Sequence, residues 1–441
     1  RMLLYPRQIR CIQICQNRTE NLLPANVQPY KSFFVGKTDA VKCKQNRLGG
    51  GDFEITIPYN QRNVDLFSKI ETIPTFILMS FFTEDPWDTE VISSIPHPMP
   101  MVVETYNETH DILEREHKII ISGRGVLDVL LDNKVVFPKT TYRSPENVEP
   151  AIGYPPWDIA VDLFGRNVNG DRLFDELGQS LTVFDSPSSQ YLLSTDNPLD
   201  PRFVPDVSLT YDLTLRTGDP LIERSYDGDT LLEAITSLVN ISDLCITGTL
   251  SVDENGHLHF DYVIRRLTDL RDNTATPLVY DYGAMPPKNY NKLLSTQELR
   301  QVVYVKVPPL QGEENHDART VTKGSEEENS MYFGWNIKEL YLDASSLPTG
   351  DVLNAQYQHM LEVAAADELY KDGNILIKIE DIEYLYSPMR YYQNCWPGCI
   401  YTSIGPDGVA SSLVIISLVL TGSKQEGWIV TPELAHYTDP W

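Results

Sequence analysis

Four apolar stretches follow one another in the first third of the chain: FEITIPYN (Phe53 to Asn60), TFILMSFF (Thr75 to Phe82), MVVETYN (Met101 to Asn107) and HKIIIS (His117 to Ser122). Each is short and rich in β-branched and aromatic residues, and HPMP (His97 to Pro100) punctuates the series. That is the pattern of strands, and several at regular spacing predict a sandwich or barrel. The 30 Pro, 25 Gly and 24 Tyr fit many turns between aromatic strands. A chain of 441 residues exceeds one ordinary domain, and 41% hydrophobic content is enough to bury large cores.

The pattern changes near Phe137-Pro138, where YRSPENVEPAIGYPP reads as a Pro-rich connection. Beyond it, WDIAVDLFG and GDRLFDELG read as short helices with glycine stops. In YDGDTLLEAITSLVN, Asp229 or Thr230 can cap a helix whose apolar face is Leu231, Leu232, Ile235, Leu238 and Val239. LCITGTLSVDENGHLHFDYVI then predicts a hairpin around Asp253 to Gly256. The last region returns to strands in LRQVVYVKVPP, ILIKIEDIEYLY and SSLVIISLVLTG, interrupted by a polar loop, QGEENHDARTVTKGSEEEN. DVLNAQYQHMLEVAAADELYKDG predicts the longest helix, capped by Thr349 or Asp351 and stopped at Gly373. The expected fold class is mainly β with α/β insertions. Its divisions are a β-barrel domain over 1–137, a mixed connecting region over 138–294 holding the helix-plus-hairpin unit, and a second β-barrel domain over 295–441 with one long helix.

Formal charge is −26, from 36 Lys and Arg against 62 Asp and Glu. Such a surface repels DNA phosphates at long range, opposite to what duplex-binding proteins show. Six cysteines suit a reducing compartment and no disulfide framework. Cys11 and Cys15 lie in an alternating, strand-like stretch, where positions four apart are separated by roughly 13 Å and cannot share a metal. Cys395-x3-Cys399 sits at a Pro-Gly turn but lacks partner ligands. Asn17, Asn107 and Asn240 head sequons by pattern only, with no secretory context. LLYPRQIR has no apolar core of signal-peptide length. The longest apolar run, Leu413 to Leu420, is far short of the roughly 20 residues that span a bilayer.

Gly123-Arg-Gly125, after an apolar run and before a helical pattern, imitates the first half of a dinucleotide-binding turn. The third glycine position holds Asp128, a carboxylate that favours a helix start but repels a phosphate there. The helix is short, with Val126, Leu127, Leu130 and Leu131 as its apolar face, and VVF predicts another strand at once. Architecture, not a phosphate cradle, is the expectation. His257-x-His259 places two imidazoles on one strand face without a third ligand nearby. No Walker A, G-x-S-x-G or H-E-x-x-H sequence occurs. No catalytic, cofactor-binding or metal-ligating residue is assigned, and no cofactor is expected.

The order of segments resembles the tail-hub family of long-tailed phages, the baseplate hub or structural N-terminal module of tail-associated lysins. MVVE precedes HKIIISGRG, and VLDVLLDNKVVFP is similar to the family's joint, with Lys134 where Arg is usual. GDTLLEAITSLVN with ENGHLHFDYVI resembles its helix and hairpin, and PLVYDYGAMPPKNYNKLLSTQELRQVVYVKV its approach to a valine-rich strand. YYQNCWPGCIYTS resembles its late turn, with Trp396-Pro-Gly398-Cys399 lacking the usual carboxylate. The resemblance runs from about residue 100 to 420. It implies a homotrimer of two-barrel subunits forming a pseudo-sixfold ring. That ring would contact the distal tail protein, tail tube, tape-measure protein and tip or fibre proteins at the virion tail tip, after synthesis in the host cytoplasm. DNA would pass through without specific binding, membrane insertion is not expected, and neither enzymatic activity nor an attached lysin domain is expected.

Two other readings remain open at this level. One is a peptidoglycan hydrolase of the tail tip whose site is not visible in the sequence. The other is a receptor- or carbohydrate-binding module, favoured by plentiful Tyr and Trp.

Overall fold

A computed structural model of the chain describes residues 8–14, 30–35, 38–71, 75–80, 100–111, 116–136, 140–142, 154–169, 183–184, 204, 206–216, 219, 221–222, 224–226, 228–241, 244–252, 258–271, 279–283, 289–294, 302–306, 319–322, 339–343, 375–380, 396–423 and 427–437. The predicted helices over 170–178 and 351–373, the hairpin turn at 253–257 and most of the polar loop lie outside these residues.

The chain is mainly β. The first region supplies β1 (Gln8–Ile14), β2 (Tyr30–Val35), β3 (Ala40–Asn46), β4 (Gly51–Pro58), β5 (Thr75–Ser80), β6 (Met101–Asp111) and β7 (Glu116–Gly125). The middle adds β8 (Thr140–Tyr142), β9 (Val183–Phe184), β10 (Val207–Tyr211), β11 (Arg224–Tyr226), β12 (Leu244–Val252), β13 (Leu258–Arg266), β14 (Thr268–Asp269), β15 (Val279–Asp281) and β16 (Asn289–Leu294). The last region holds β17 (Val302–Lys306), β18 (Arg319–Thr322), β19 (Glu339–Asp343), β20 (Ile375–Glu380), β21 (Cys399–Ile404), β22 (Ala410–Ser423) and β23 (Gly427–His436).

Fourteen of these strands form one sheet, in the order β16-β20-β23-β22-β3-β4-β7-β6-β5-β1-β2, with β21 beside β22 and β14 and β15 against β21. It curls into a half-barrel. β22 is the splice. Its first half pairs with β21, Ile400 to Val414, and its second half with β3, Leu420 to Cys43. A register shift between Ile415 and Ser417 marks the change of neighbour. An apolar strand buried on both faces suits that position, and Leu413, Val414, Ile415, Leu418 and Leu420 are all buried.

Alternation along β4 and β7 explains the first core. Phe53, Ile55 and Ile57 pair with Gly123, Ile121 and Ile119, and their apolar side chains share one face. They pack with Val41, Cys43, Phe67, Ile77, Met101 and Val103, and Leu420 of the last region closes the cluster. Burial pushes the thiols of Cys43 and Cys399 up to about 12 and that of Cys245 to about 11. These three are free and buried.

The larger core belongs to the middle region. Helix Leu231–Ile241 buries Leu231, Ile235, Leu238 and Val239 against it, and Leu232 packs at its margin. Of the two candidate caps, Thr230 serves: its Oγ1 accepts from the Glu233 amide at 3.2 Å. The predicted hairpin forms from β12 and β13, in register from Leu244 opposite Arg266 to Val252 opposite Leu258, and β10 adds a parallel third strand.

One expectation holds with a difference and one is corrected. The α-helix ends at Phe164, as the glycine stop expects, but Gly165 caps it in a right-handed conformation, φ −54°, ψ −44°, and the chain goes on into a π-helical turn, Gly165–Asn169. Asn167 holds that turn by donating to the Leu163 carbonyl at 2.7 Å. Val135 and Val136 begin no strand among the described residues; Val135 makes an isolated antiparallel bridge to Thr230, just before helix Leu231–Ile241, and Phe137 lies outside the described residues.

Candidate functional site

The Gly-Arg-Gly stretch is the place where sequence most suggested ligand chemistry. Gly123, Arg124 and Gly125 are not a loop but the last three residues of β7; Gly123 and Arg124 pair with β4 and β6, and Gly125 with Met101 of β6. Gly123 lies opposite Phe53 on one side and Val103 on the other, where β6 shifts register between Val103 and Thr105. A Cβ on Gly123 would stand 1.8 Å from the Val102 carbonyl oxygen. Glycine is therefore required by close strand approach at a bulge. Gly125 has φ −54° and would adopt this backbone with any side chain; its constraint is the neighbouring chain, Gly50 Cα at 3.1 Å from a Cβ there.

The arginine and the first helical amide that a phosphate would need are taken. The Arg124 guanidinium donates to both Glu104 carboxylate oxygens at 2.9 Å and to Asp132 at 2.8 Å. The Val126 amide donates to the Pro100 carbonyl at 3.0 Å. Asp128, in the first turn of helix Val126–Asp132, accepts from the Gly51 amide at 2.8 Å. A carboxylate thus stands in the first helical turn, where its charge opposes a second anion.

That Asp128 contact leads to a feature the sequence reading missed. Asn46-Arg-Leu-Gly-Gly-Gly51 forms a tight turn between β3 and β4, and it joins three parts of the chain. Asn46 Oδ1 accepts from the Leu48 and Gly50 amides, each at 3.0 Å, which folds the turn on itself. Arg47 donates its amide to the Ile416 carbonyl and accepts from the Ile246 amide, both at 2.8 Å. Its guanidinium reaches Asn240 Oδ1 at 3.1 Å. Beside it, the Gly398 amide donates to the Ile415 carbonyl at 2.7 Å, and a Cβ on Gly398 would stand 2.9 Å from the Cys245 Cβ. The turn before β4, the β12 edge of the middle sheet and the bulge of β22 therefore share one junction. Three consecutive glycines signalled a turn; its partners, about 200 and 370 residues away, left no local trace.

Burial raises the Asp128 carboxyl above its ordinary 3.8, against the opposing pull of the Gly51 amide and Arg124. The folded state then holds this proton more tightly than the unfolded chain does. The group's stabilising contribution is full below pH 3.8 and is lost as pH rises through the raised value. Asp128→Asn keeps an oxygen for the Gly51 amide without a buried charge. We expect it to be at least as stable as the parent at pH 7, and to lack this group's share of the decline above pH 3.8. Denaturant midpoints at several pH values check this; a variant weakened equally at all of them would contradict it.

The other constellations fall differently. Cys11 lies in β1 and Cys399 in β21, while Cys15 and Cys395 are outside the described residues. His259 lies in β13 and His257 is outside. Among the described residues no group of three or more His, Cys, Asp or Glu is arranged to hold a metal, and no helix is long and apolar enough to cross a membrane.

No family model and no curated protein sequence matches the chain. Solved structures do. The tail protein from Neisseria meningitidis MC58 aligns over 98% of both chains at 11% identity, with a TM-score of 0.51. The 43 kDa tail protein of prophage MuSo2 from Shewanella oneidensis covers 98% of each chain at 10% identity and a TM-score of 0.47. A prophage tail protein from Listeria monocytogenes EGD-e aligns over 97% of this chain and 94% of its own at 9% identity, also with a TM-score of 0.47. The likeness to the Neisseria protein is one of fold, and it agrees with the tail-hub resemblance of the sequence motifs.

Proposed function

We propose that this chain is a structural hub of a phage tail tip or baseplate and not an enzyme. The observation that carries the reading is the fold shared end to end with a tail protein. Motif order in the sequence supports it independently of the overall fold. In this proposal the regions 1–137 and 295–441 each contribute barrel-like β-structure around the middle region 138–294. Direct pairing of β3 with β22, which joins the two ends in one sheet, supports that arrangement. Three copies form a ring with pseudo-sixfold character, seated between tail tube and tip, and contact the distal tail, tape-measure and tip or fibre proteins.

The charge fits a passage for DNA. Three copies carry −78, three times −26. Carboxylates along the bore would keep a duplex off the wall, over a reach of about 8 Å at physiological salt. Glu326, Glu327 and Glu328, in the polar loop, lie outside the described residues.

The test is mass in solution by light scattering, alone and with the tail proteins encoded beside it. We expect three copies per particle, through an interface of more than about 2,000 Å². A monomer that stays monomeric at micromolar concentration with those proteins present would sink the trimer. Turnover of purified cell wall would favour the hydrolase reading instead.

A further inference from the structure

We infer that His110 and His117 form a two-imidazole site for a divalent transition metal of the zinc, nickel and copper class, near the end of the β6–β7 hairpin. Seven residues apart, they match no metal-ligand spacing in the sequence. Antiparallel register decides their meeting: His110 is directly opposite His117 in the ladder, so both side chains stand on one face.

The ring spacing fits a shared ion when one nitrogen of each ring turns towards it. The centroids are 4.8 Å apart and the planes are inclined at 67°. With metal–nitrogen bonds of about 2.0–2.1 Å, each imidazole centre sits about 3.2 Å from a bound ion. Rings so placed and 4.8 Å apart subtend about 97° at the ion, between a square-planar and a tetrahedral angle.

The surroundings hold one ring and leave access to the other. Tyr59 stacks on the face of His117, centroids 3.5 Å apart and planes within 9°, and its amide donates to the His117 carbonyl at 3.2 Å. Stacking covers the ring face and leaves the nitrogen-bearing edge available. His110 is exposed, so an ion reaches the pair without any opening of the fold. Glu108, on the same strand face as His110, is engaged by the Tyr106 hydroxyl, and Glu116 pairs with Lys118. With two protein ligands, water completes the coordination, and the site is an open one.

The experiment is a zinc titration of the full chain by calorimetry at neutral pH, with His110→Asn, His117→Asn and His259→Asn beside it. One saturable ion per chain is expected, weakened at least about tenfold by either of the first two changes and untouched by the third. Copper bound to the unsubstituted chain should show two nitrogen donors by electron paramagnetic resonance, a readout that needs no variant. No saturable binding, binding that survives both His110→Asn and His117→Asn, or a copper spectrum without paired nitrogens would overturn the assignment.

Discussion

Gly123→Ala is expected to cost at least about 3 kcal/mol of stability, more than most single substitutions. The added methyl would lie 1.8 Å from the Val102 carbonyl oxygen and 3.0 Å from the Glu104 amide. Both are backbone atoms of the β6 bulge, and neither can swing aside as a side chain can. Moving them separates β6 from β7 where Met101 and Val103 enter the first core. Gly51→Ala should behave similarly, since it combines φ +154° with a Cβ 1.9 Å from the Lys44 carbonyl oxygen. Gly408→Ala is the control. Its φ is +73°, but nothing lies within 4 Å of the added carbon, so only the backbone term of about 1–2 kcal/mol applies. Urea midpoints followed by circular dichroism separate the cases. If Gly123→Ala proved as mild as Gly408→Ala, the close-approach account would fail. A nucleotide role for Gly123 and Gly125 would return if the folded chain bound ATP or NAD saturably.

The second large effect is expected at Asp162, whose carboxylate is wholly buried in helix Pro156–Phe164. Its Oδ2 accepts from the Tyr142 hydroxyl at 2.6 Å and from Arg166 Nε at 2.7 Å. Arg166 is only 5% exposed, so the pair is enclosed in the middle region. The Tyr142 ring also meets Tyr226 edge-on, which ties the helix to the small sheet of β8, β9 and β11. Burial, and the anionic Asp162 next, hold the Tyr142 hydroxyl protonated well above its ordinary range, so it donates at any ordinary pH. Asp162→Ala leaves the Arg166 charge buried with its hydrogen-bonded counter-ion gone, and should cost about 3–5 kcal/mol. Replacing both members by apolar residues, Asp162→Leu with Arg166→Met, should recover much of that loss, because the penalty comes mainly from the stranded charge. A double variant as unstable as Asp162→Ala would show that the cost lies in packing instead.

Much of the fold was legible because its signals are local. The strands around Phe53, Phe76, Met101 and Ile119 follow from β-branched and aromatic runs, and helix Leu231–Ile241 from its apolar period and its Thr230 cap. Where local signals misled, a competing contact won. Gly165 ends the α-helix as its stop, yet the Asp162–Arg166 pair and the Asn167–Leu163 bond tie a π-helical turn directly onto it. Gly123-Arg-Gly125 looked like a turn before a helix, yet pairing of Gly123 and Arg124 with both neighbouring strands, and of Gly125 with β6, holds it as strand.

A mainly β chain, an Asp128 that opposes a phosphate at the helix start, and a helix and hairpin forming one unit in the middle all follow from side-chain period, charge and turn chemistry, which act over a few residues. That β22 leaves β21 to pair with β3, that Asn46 to Gly51 meets Ile246 and Ile416, and that His110 faces His117 depend on the folded arrangement. The difference lies in register. Pairing between strands is set by which backbone amides and carbonyls finally align, and by how the apolar faces close over a common core. For Cys43 and Leu420 that alignment joins residues nearly the whole chain apart, and nothing near either one announces its partner.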